Sequence, residues 1–441
     1  MMKSLKPLQA LLALSLTLSV DLRAENWPNW RGPNNNGSTS EKALPDKFSK
    51  TENLLWEVDL PGDGASAPIV WQDGVYLTSV DEDEQGVVAL KLDRKTGKVI
   101  WKRPLGKGVR QNDRSTFAAP SAVTDGKTVF FFAGTGDLIA FDLDGKQKWS
   151  RNIQKDYGTF AFGWTFSTSP VLWDGSLYLQ VLQRDVAVDD KGFKDRINES
   201  YILAMDPETG KEKWRHIRKT PALMESREAF STPVPLEYKG RKELLVVGGD
   251  YLTAHDPQTG EELWRWGTWN PDKEKYWRLV PSPVFGEGIV LVCGPKKAQA
   301  YGIKAGGAGT MGDEAIAWKT EGKIVAADVP TPLFYQGRFY LLNGRKKVLS
   351  CIEPKTGKVL WSEKLNAKVK LEASPTGADG KIYVISHLGE VFVVKAGDQF
   401  ELISESNMGV PQSTFIRSPI VAAQGNLFIR ANDKLYCVGK R

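Results

Sequence analysis

Cysteine and histidine are scarce: the 441 residues hold three of each, Cys293, Cys351 and Cys437, and His216, His255 and His387. No C-x-x-C pair or His/Cys cluster at metal-ligand spacing occurs, which excludes a disulfide scaffold and a zinc site built from neighbouring ligands. No cysteine precedes Cys293, so a lipoprotein-type lipid anchor is excluded as well. Charge of one sign is also lacking. Lys plus Arg total 59 against 53 Asp plus Glu, a net charge of +6, and the basic residues are scattered, which argues against a nucleic-acid partner. The apolar run from Leu8 to Val20 falls short of the ~20 residues needed to span a bilayer. With Lys3 and Lys6 before it and Ala24 ahead of a polar stretch, residues 1–24 read as a cleaved Sec-type secretory signal. The mature chain is expected in the periplasm or outside a bacterial cell, with no membrane span after cleavage.

Turn formers, by contrast, are plentiful, with 42 Gly and 24 Pro. They punctuate a repeat. A small residue and a proline recur as Ala67-Pro68, Ala119-Pro120, Ser169-Pro170, Thr232-Pro233, Ser282-Pro283, Thr331-Pro332, Ser374-Pro375 and Ser418-Pro419. After each comes an apolar strand, then a turn such as Asp73-Gly74 or Asp174-Gly175, and a second strand such as Val75-Tyr76-Leu77. A third strand leads into an acidic-x-x-Thr-Gly turn, as in Asp93 to Gly97, Asp206 to Gly210, Asp256 to Gly260 and Glu353 to Gly357. A tryptophan follows: Trp101, Trp149, Trp214, Trp264, Trp318 or Trp361. Eight four-stranded units with no helical periodicity between them predict an all-β, eight-bladed β-propeller of antiparallel blades. The eighth unit ends after its third strand, while Leu54 to Val58 is a strand without a unit. That N-terminal strand is therefore expected to complete the last blade and leave no open edge. The chain divides into the signal, an extended segment over 25–53, and one propeller domain over 54–441.

The runs Thr96-Gly97-Lys98-Val-Ile-Trp101, Thr209-Gly210-Lys211-Glu-Lys-Trp214 and Thr356-Gly357-Lys358-Val-Leu-Trp361 resemble the repeat of the pyrroloquinoline-quinone-like propellers, the superfamily of the quinoprotein alcohol dehydrogenases. The superfamily also includes the non-enzymatic propeller subunit of the bacterial outer-membrane protein assembly machinery. The N-terminal Trp27-Pro-Asn-Trp30-Arg31-Gly32-Pro33 and the Gly-rich insertion over 306–312 resemble features of a secreted bacterial subgroup. The likeness implies the fold and the compartment; the same repeat serves catalysts and scaffolds alike. Many of the dehydrogenases clamp their cofactor with a disulfide between adjacent cysteines, and this chain has no adjacent pair.

Other motifs carry less. Gly307 to Gly312 matches the dinucleotide fingerprint in letters but lacks the strand-before, helix-after context, so a flexible surface loop is expected. His255 takes the slot of Met205 and Phe141 in other units and reads as a strand residue packed between blades. The mixed charges from Arg184 to Glu199 suggest an exposed protruding hairpin. The segments that enter each innermost strand carry Asp63, Arg114, Trp164, Arg227, Glu228, Trp277, Arg278, Asp328, Glu372 and Arg417. All innermost strands start at the same end of a propeller, so these residues should ring one mouth of the channel, a site for a small ligand or a protein partner. No catalytic residue and no metal site are assigned. The expected function is an exported, non-catalytic binding or scaffolding propeller in envelope protein assembly, with no cofactor. The alternative that the resemblance implies is a dehydrogenase of alcohols or sugars using PQQ with calcium. There the quinone would stack on Trp164 or Trp277, its carboxylates would meet Arg227, Arg278 or Arg417, and Asp328 or Glu372 would supply a calcium ligand or base.

Overall fold

The computed structural model describes residues 25–110, 115–296, 299–322 and 324–440; the signal over 1–24 and Arg114 lie outside them. Eight antiparallel blades follow one another along the chain, and their first strands begin at Ile69, Val123, Val171, Val234, Val284, Leu333, Thr376 and Val421. Blade 8 takes its fourth strand from the N-terminus: Leu54–Asp59 pairs with Lys434–Gly439, with Val58 opposite Leu435. The expected eight-bladed ring closed by a shared sheet is therefore what forms.

The tryptophan repeat is a docking device between blades. In each acidic-x-x-Thr-Gly turn the carboxylate accepts from the threonine N–H and hydroxyl, as Asp93 Oδ1 does from Thr96 at 2.8 Å each. The glycine then adopts positive φ, +72° at Gly97 and +77° at Gly260, where a side chain would be strained. The bare glycine lets the indole of the preceding blade lie against the turn. A Cβ on Gly97 would come within 2.6 Å of Trp56, and one on Gly260 within 2.5 Å of Trp214. The indole N–H finishes the contact by donating to a carbonyl of that turn: Trp56 to Arg94 at 2.9 Å, Trp149 to Pro207 at 2.9 Å, Trp214 to Pro257 at 3.1 Å. Trp56 does this across the seam where the ring closes.

Blade 4 departs from the pattern. Trp264 donates to Glu243 of its own blade at 3.0 Å, because the insertion from blade 5 occupies the outer edge. Gly309–Met311 forms a fifth strand there, parallel to Glu262–Trp266 with Trp264 opposite Gly309. The expectation of a flexible loop is corrected: an unpaired sheet edge captured the Gly-rich segment.

The small residues near the axis do more than avoid crowding. A belt of hydrogen bonds runs from blade to blade: Ala67 N–H to Ser121 Oγ at 2.8 Å, Ser121 N–H to Ser169 at 3.0 Å, and Ser169 N–H to Thr232 at 3.2 Å. It continues from Thr232 to Ser282 at 2.8 Å, from Ser282 to Thr331 at 3.0 Å, and from Thr331 to Ser374 at 3.0 Å. In blade 2 the belt residue is Ser121 and not Ala119, since the strand there starts at Val123, farther past its proline than in other blades. Ala67 has no hydroxyl to offer blade 8. That seam is held instead by Arg430, which donates to Ser66 Oγ at 2.5 Å and to the Thr78 carbonyl at 2.6 Å.

Every belt residue named is buried, so removing one hydroxyl strands a backbone donor away from water. Thr331→Val keeps the shape and deletes the acceptor for Ser282 N–H. It is expected to cost about 1–3 kcal/mol, read as a lower urea midpoint with an unchanged m-value.

Candidate functional site at the open mouth of the channel

The two ends of the channel differ. At the end carrying the turns between first and second strands, residues 25–49 lie across the ring. Trp27 and Val70 exchange backbone hydrogen bonds at 2.8 and 2.9 Å, Thr124 N–H donates to Pro28, and Gly377 N–H donates to Gly37. Arg31 reaches the axis and donates to the carbonyls of Pro332 at 2.9 Å and Pro375 at 3.3 Å, on blades 6 and 7. The strap then touches Gln424 of blade 8 through Glu25 and Glu41. The opposite end of the channel is the one at which the inner strands enter.

That end carries the sequence-predicted residues. It also carries the loops between second and third strands, because antiparallel strands return to the same side every second connection. Of these loops the sequence pointed only to Arg184–Glu199, and together they supply most of the partners. In blade 3 the loop beginning at Gln183 folds back over the mouth in place of projecting from it: Arg184 N–H donates to Ala161, and Lys191 Nζ donates to Phe162 O at 2.8 Å. Its Arg184 pairs with the fully buried Glu228, which also accepts from Gly163 N–H at 3.0 Å. Burial pushes the Glu228 carboxyl up, against the pull of Gly163 and Arg184. Asp185 pairs with Arg227 at 3.1 Å.

The neighbouring lead-ins are similarly engaged. Arg278 pairs with Glu225 at 2.6 Å and lies over the Trp164 ring, 5.7 Å from its centroid. Trp277 packs against the blade 4 core, and its N–H donates to Ser226 Oγ at 2.8 Å. Asp328 is exposed and accepts from Lys296 N–H at 3.2 Å. At Asp63, burial and the like charge of Asp433 raise the carboxyl pKa, with Arg430 opposing. On blades 7 and 8, Glu372 accepts from His387 Nε2 at 2.9 Å and Arg417 Nε at 3.1 Å, and the His387 ring meets Phe415 edge-on at 5.8 Å. The ring of candidates thus resolves into separate ion pairs between adjacent loops. Trp164, Arg227, Glu228, Trp277 and Arg278 share the rim of blades 3 to 5, Glu372 and Arg417 share that of blades 7 and 8, and Asp63 and Asp328 stand apart from both.

Elsewhere, folding unites side chains that no sequence spacing displays. Ligand atoms of His216, His255 and Glu262 lie within 4.8 Å of one another between blades 3 and 4. Two of the three are already engaged, and the His216 ring meets that of His255 at 4.8 Å. His255 sits between Thr253 Oγ1 at 2.9 Å and the Gly260 carbonyl at 3.3 Å, Glu262 is held by Arg265, and buried Arg218 donates to the same Thr253 hydroxyl at 3.0 Å. Burial drives the His255 pKa well down, helped by His216 and Arg218. This is a neutral, packed histidine, as its strand slot suggested. The three cysteines are free and buried.

Eight four-stranded blades with tryptophan-docked turns define a propeller of the PQQ-like class. The family model described as outer membrane protein assembly factor BamB matches residues 48–190, 159–310 and 310–438, and the chain belongs to that family. No protein of the curated set matches it. Among solved structures, BamB from Moraxella catarrhalis is 14% identical with a TM-score of 0.56, covering 88% of this chain and 99% of that one. Quinohemoprotein alcohol dehydrogenase from Comamonas testosteroni is 14% identical with a TM-score of 0.61, covering 94% and 81%. A europium-containing methanol dehydrogenase is 11% identical with a TM-score of 0.61, covering 92% and 90%. At such identities the likeness is one of fold.

The Glu372 cluster has a pH signature. Burial pushes its carboxyl up, but the His387 hydrogen bond and charge, with those of Arg417, outweigh this and hold it at about 2. A depressed pKa gives stability that is present above the ordinary carboxylate range and lost as pH falls toward about 2. Glu372→Gln is expected to lower stability at pH 7 and to flatten its decline between about pH 4.5 and 2, measured by denaturant midpoints across that range.

Proposed function

We propose that this chain is an exported, non-catalytic docking propeller of the bacterial envelope, whose rim over blades 3 to 5 holds a protein partner. The observation that carries the reading is the apolar surface on that rim. Leu223 is 42% exposed and Tyr276 57%, with Met224 beside them. Their loops are zipped together by Ser226 N–H donating to Lys275 O at 3.1 Å and by the Trp277–Ser226 bond. Met224 is held at φ +52°, a conformation uncommon outside glycine. Val186 and Ile197, also exposed, lie on the blade 3 loop that Arg227 ties to the same rim. Large apolar side chains on pinned loops, ringed by self-paired charges, have the make-up of a protein contact surface. The description of the family supports outer-membrane protein assembly as the setting, and the signal-like residues 1–24 support export.

The quinone reading asks the same mouth for an open aromatic face, unpaired arginines and cation-ligating carboxylates. Trp164 is covered by Arg278, Trp277 packs into the blade, and Arg227, Arg278 and Arg417 are each neutralised by a carboxylate. Glu372 is spent on His387 and Arg417. These residues do not fit a tricyclic acid with calcium.

Tagged protein should recover a discrete partner from envelope extracts. The variant Leu223→Ser, Met224→Ser, Tyr276→Ser should lose at least about tenfold of it, the weight of one to two hot-spot side chains, with an unchanged melting temperature. Equal recovery by both forms, or retention of quinone absorbance after mixing with PQQ and calcium, overturns the reading.

A further inference from the structure

Three arginines are buried outright, Arg31, Arg218 and Arg430, and burial lowers each to a pKa of about 9, so all three are cations at neutral pH. A guanidinium removed from water needs both hydrogen-bond acceptors and compensating charge. Arg218 has both. Its Nε, Nη1 and Nη2 donate to Thr253, Gly248 and Tyr251, and Glu262 and Asp250 act on it electrostatically. Arg430 feels Asp63 and Asp433. Arg31 differs. Its hydrogen-bond acceptors are the neutral carbonyls of Asn36, Pro332 and Pro375, the Trp30 ring centroid lies 5.7 Å from its guanidinium carbon, and among the described residues its Nε has no hydrogen-bond partner and no carboxylate pairs with it.

Arg31 also lines a small cavity between the strap and the inner strands. Asn29, Trp30, Arg31 and Asn35 of the strap form one side, and Pro170, Val171, Thr232, Pro233 and Val234 of blades 3 and 4 form the other. On the strap side, Asn29 Oδ1 already accepts from Arg31 N–H at 2.9 Å, which leaves the nitrogen of that amide as a donor. The blade side is mostly prolyl and valyl carbon, which gives a hydrated dianion nothing to hold its water shell. The space takes about one water-sized sphere.

We propose that this cavity binds one small monovalent anion, of halide or formate size, as the counter-ion of Arg31. The anion completes the strap: it compensates the guanidinium that joins the N-terminal segment to blades 6 and 7, so the seal on this end of the channel depends on salt identity. The inference is independent of what docks on the opposite rim.

The test uses the full mature chain at fixed ionic strength and pH 7, in sodium chloride, bromide, formate, gluconate or sulfate. Chloride, bromide and formate should raise the melting temperature saturably, by about 2 °C or more at saturation, relative to gluconate and sulfate. Arg31→Met should lose that difference. Crystals soaked in bromide should show an anomalous peak within hydrogen-bond reach of the Arg31 guanidinium, a readout that does not require the variant to fold. A chloride response alone, with no formate response, assigns the site to free halide; a formate response extends it to carboxylates. Equal melting in all five salts, an unchanged halide response in Arg31→Met, or a bromide map with no peak at Arg31 overturns the proposal.

Discussion

What the molecule cannot do without is an acceptor for the backbone N–H groups that converge on the axis. Eight inner strands converge there, and the backbone donors they bring are buried and must be satisfied. The serine and threonine hydroxyls solve this by reaching sideways, so a local need of one strand becomes a bond to the next blade. The outer tryptophans repeat the logic at the rim, where a positive-φ glycine clears the ground for an indole. Cohesion between blades is therefore polar at the axis and aromatic at the circumference, with aliphatic strands between them.

The channel that results is blind. Residues 25–49 cross one end and Arg31 enters the axis, so chemistry is confined to the other mouth and to the small cavity under the strap. At that mouth, charges are balanced between adjacent loops, Arg184 with Glu228, Arg227 with Asp185, Arg278 with Glu225, and Arg417 with Glu372. Such pairs fix the loops more than they recruit a ligand, and the uncovered apolar side chains between them are what a partner would touch.

The fold was legible because its constraints repeat. A small residue before proline recurs eight times, an X-Gly turn with Asp in four of the eight and a turn glycine under a tryptophan in five reinforce it, and strand completion by Leu54–Asp59 follows from counting. Register was less legible: Ala119-Pro120 mimics the pattern while Ser121 does the work, because the belt depends on distance from the hairpin and not from proline. Strand order puts the lead-in segments of the candidate residues at one end, but it does not give their bonding. Strand alternation places the second-to-third loops at the same mouth, which a sequence can tell, but that His387 meets Glu372, or that Asp185 folds back to Arg227, depends on loop paths that no periodicity encodes. The union of His216, His255 and Glu262 across a blade seam, and the fifth strand at Gly309–Met311, were hidden for the same reason.

The shared sheet also sets an order of events. Asp59 and Lys434, which pair across it, are 375 positions apart, and the strand made earliest waits for the strand made last. During translation the leading strand has no sheet to join, and the circle cannot lock until the carboxyl-terminal residues have emerged. Contacts of such long sequence separation form slowly, so a chain halted before its final strand is left with two unsealed edges and is marked as unfinished.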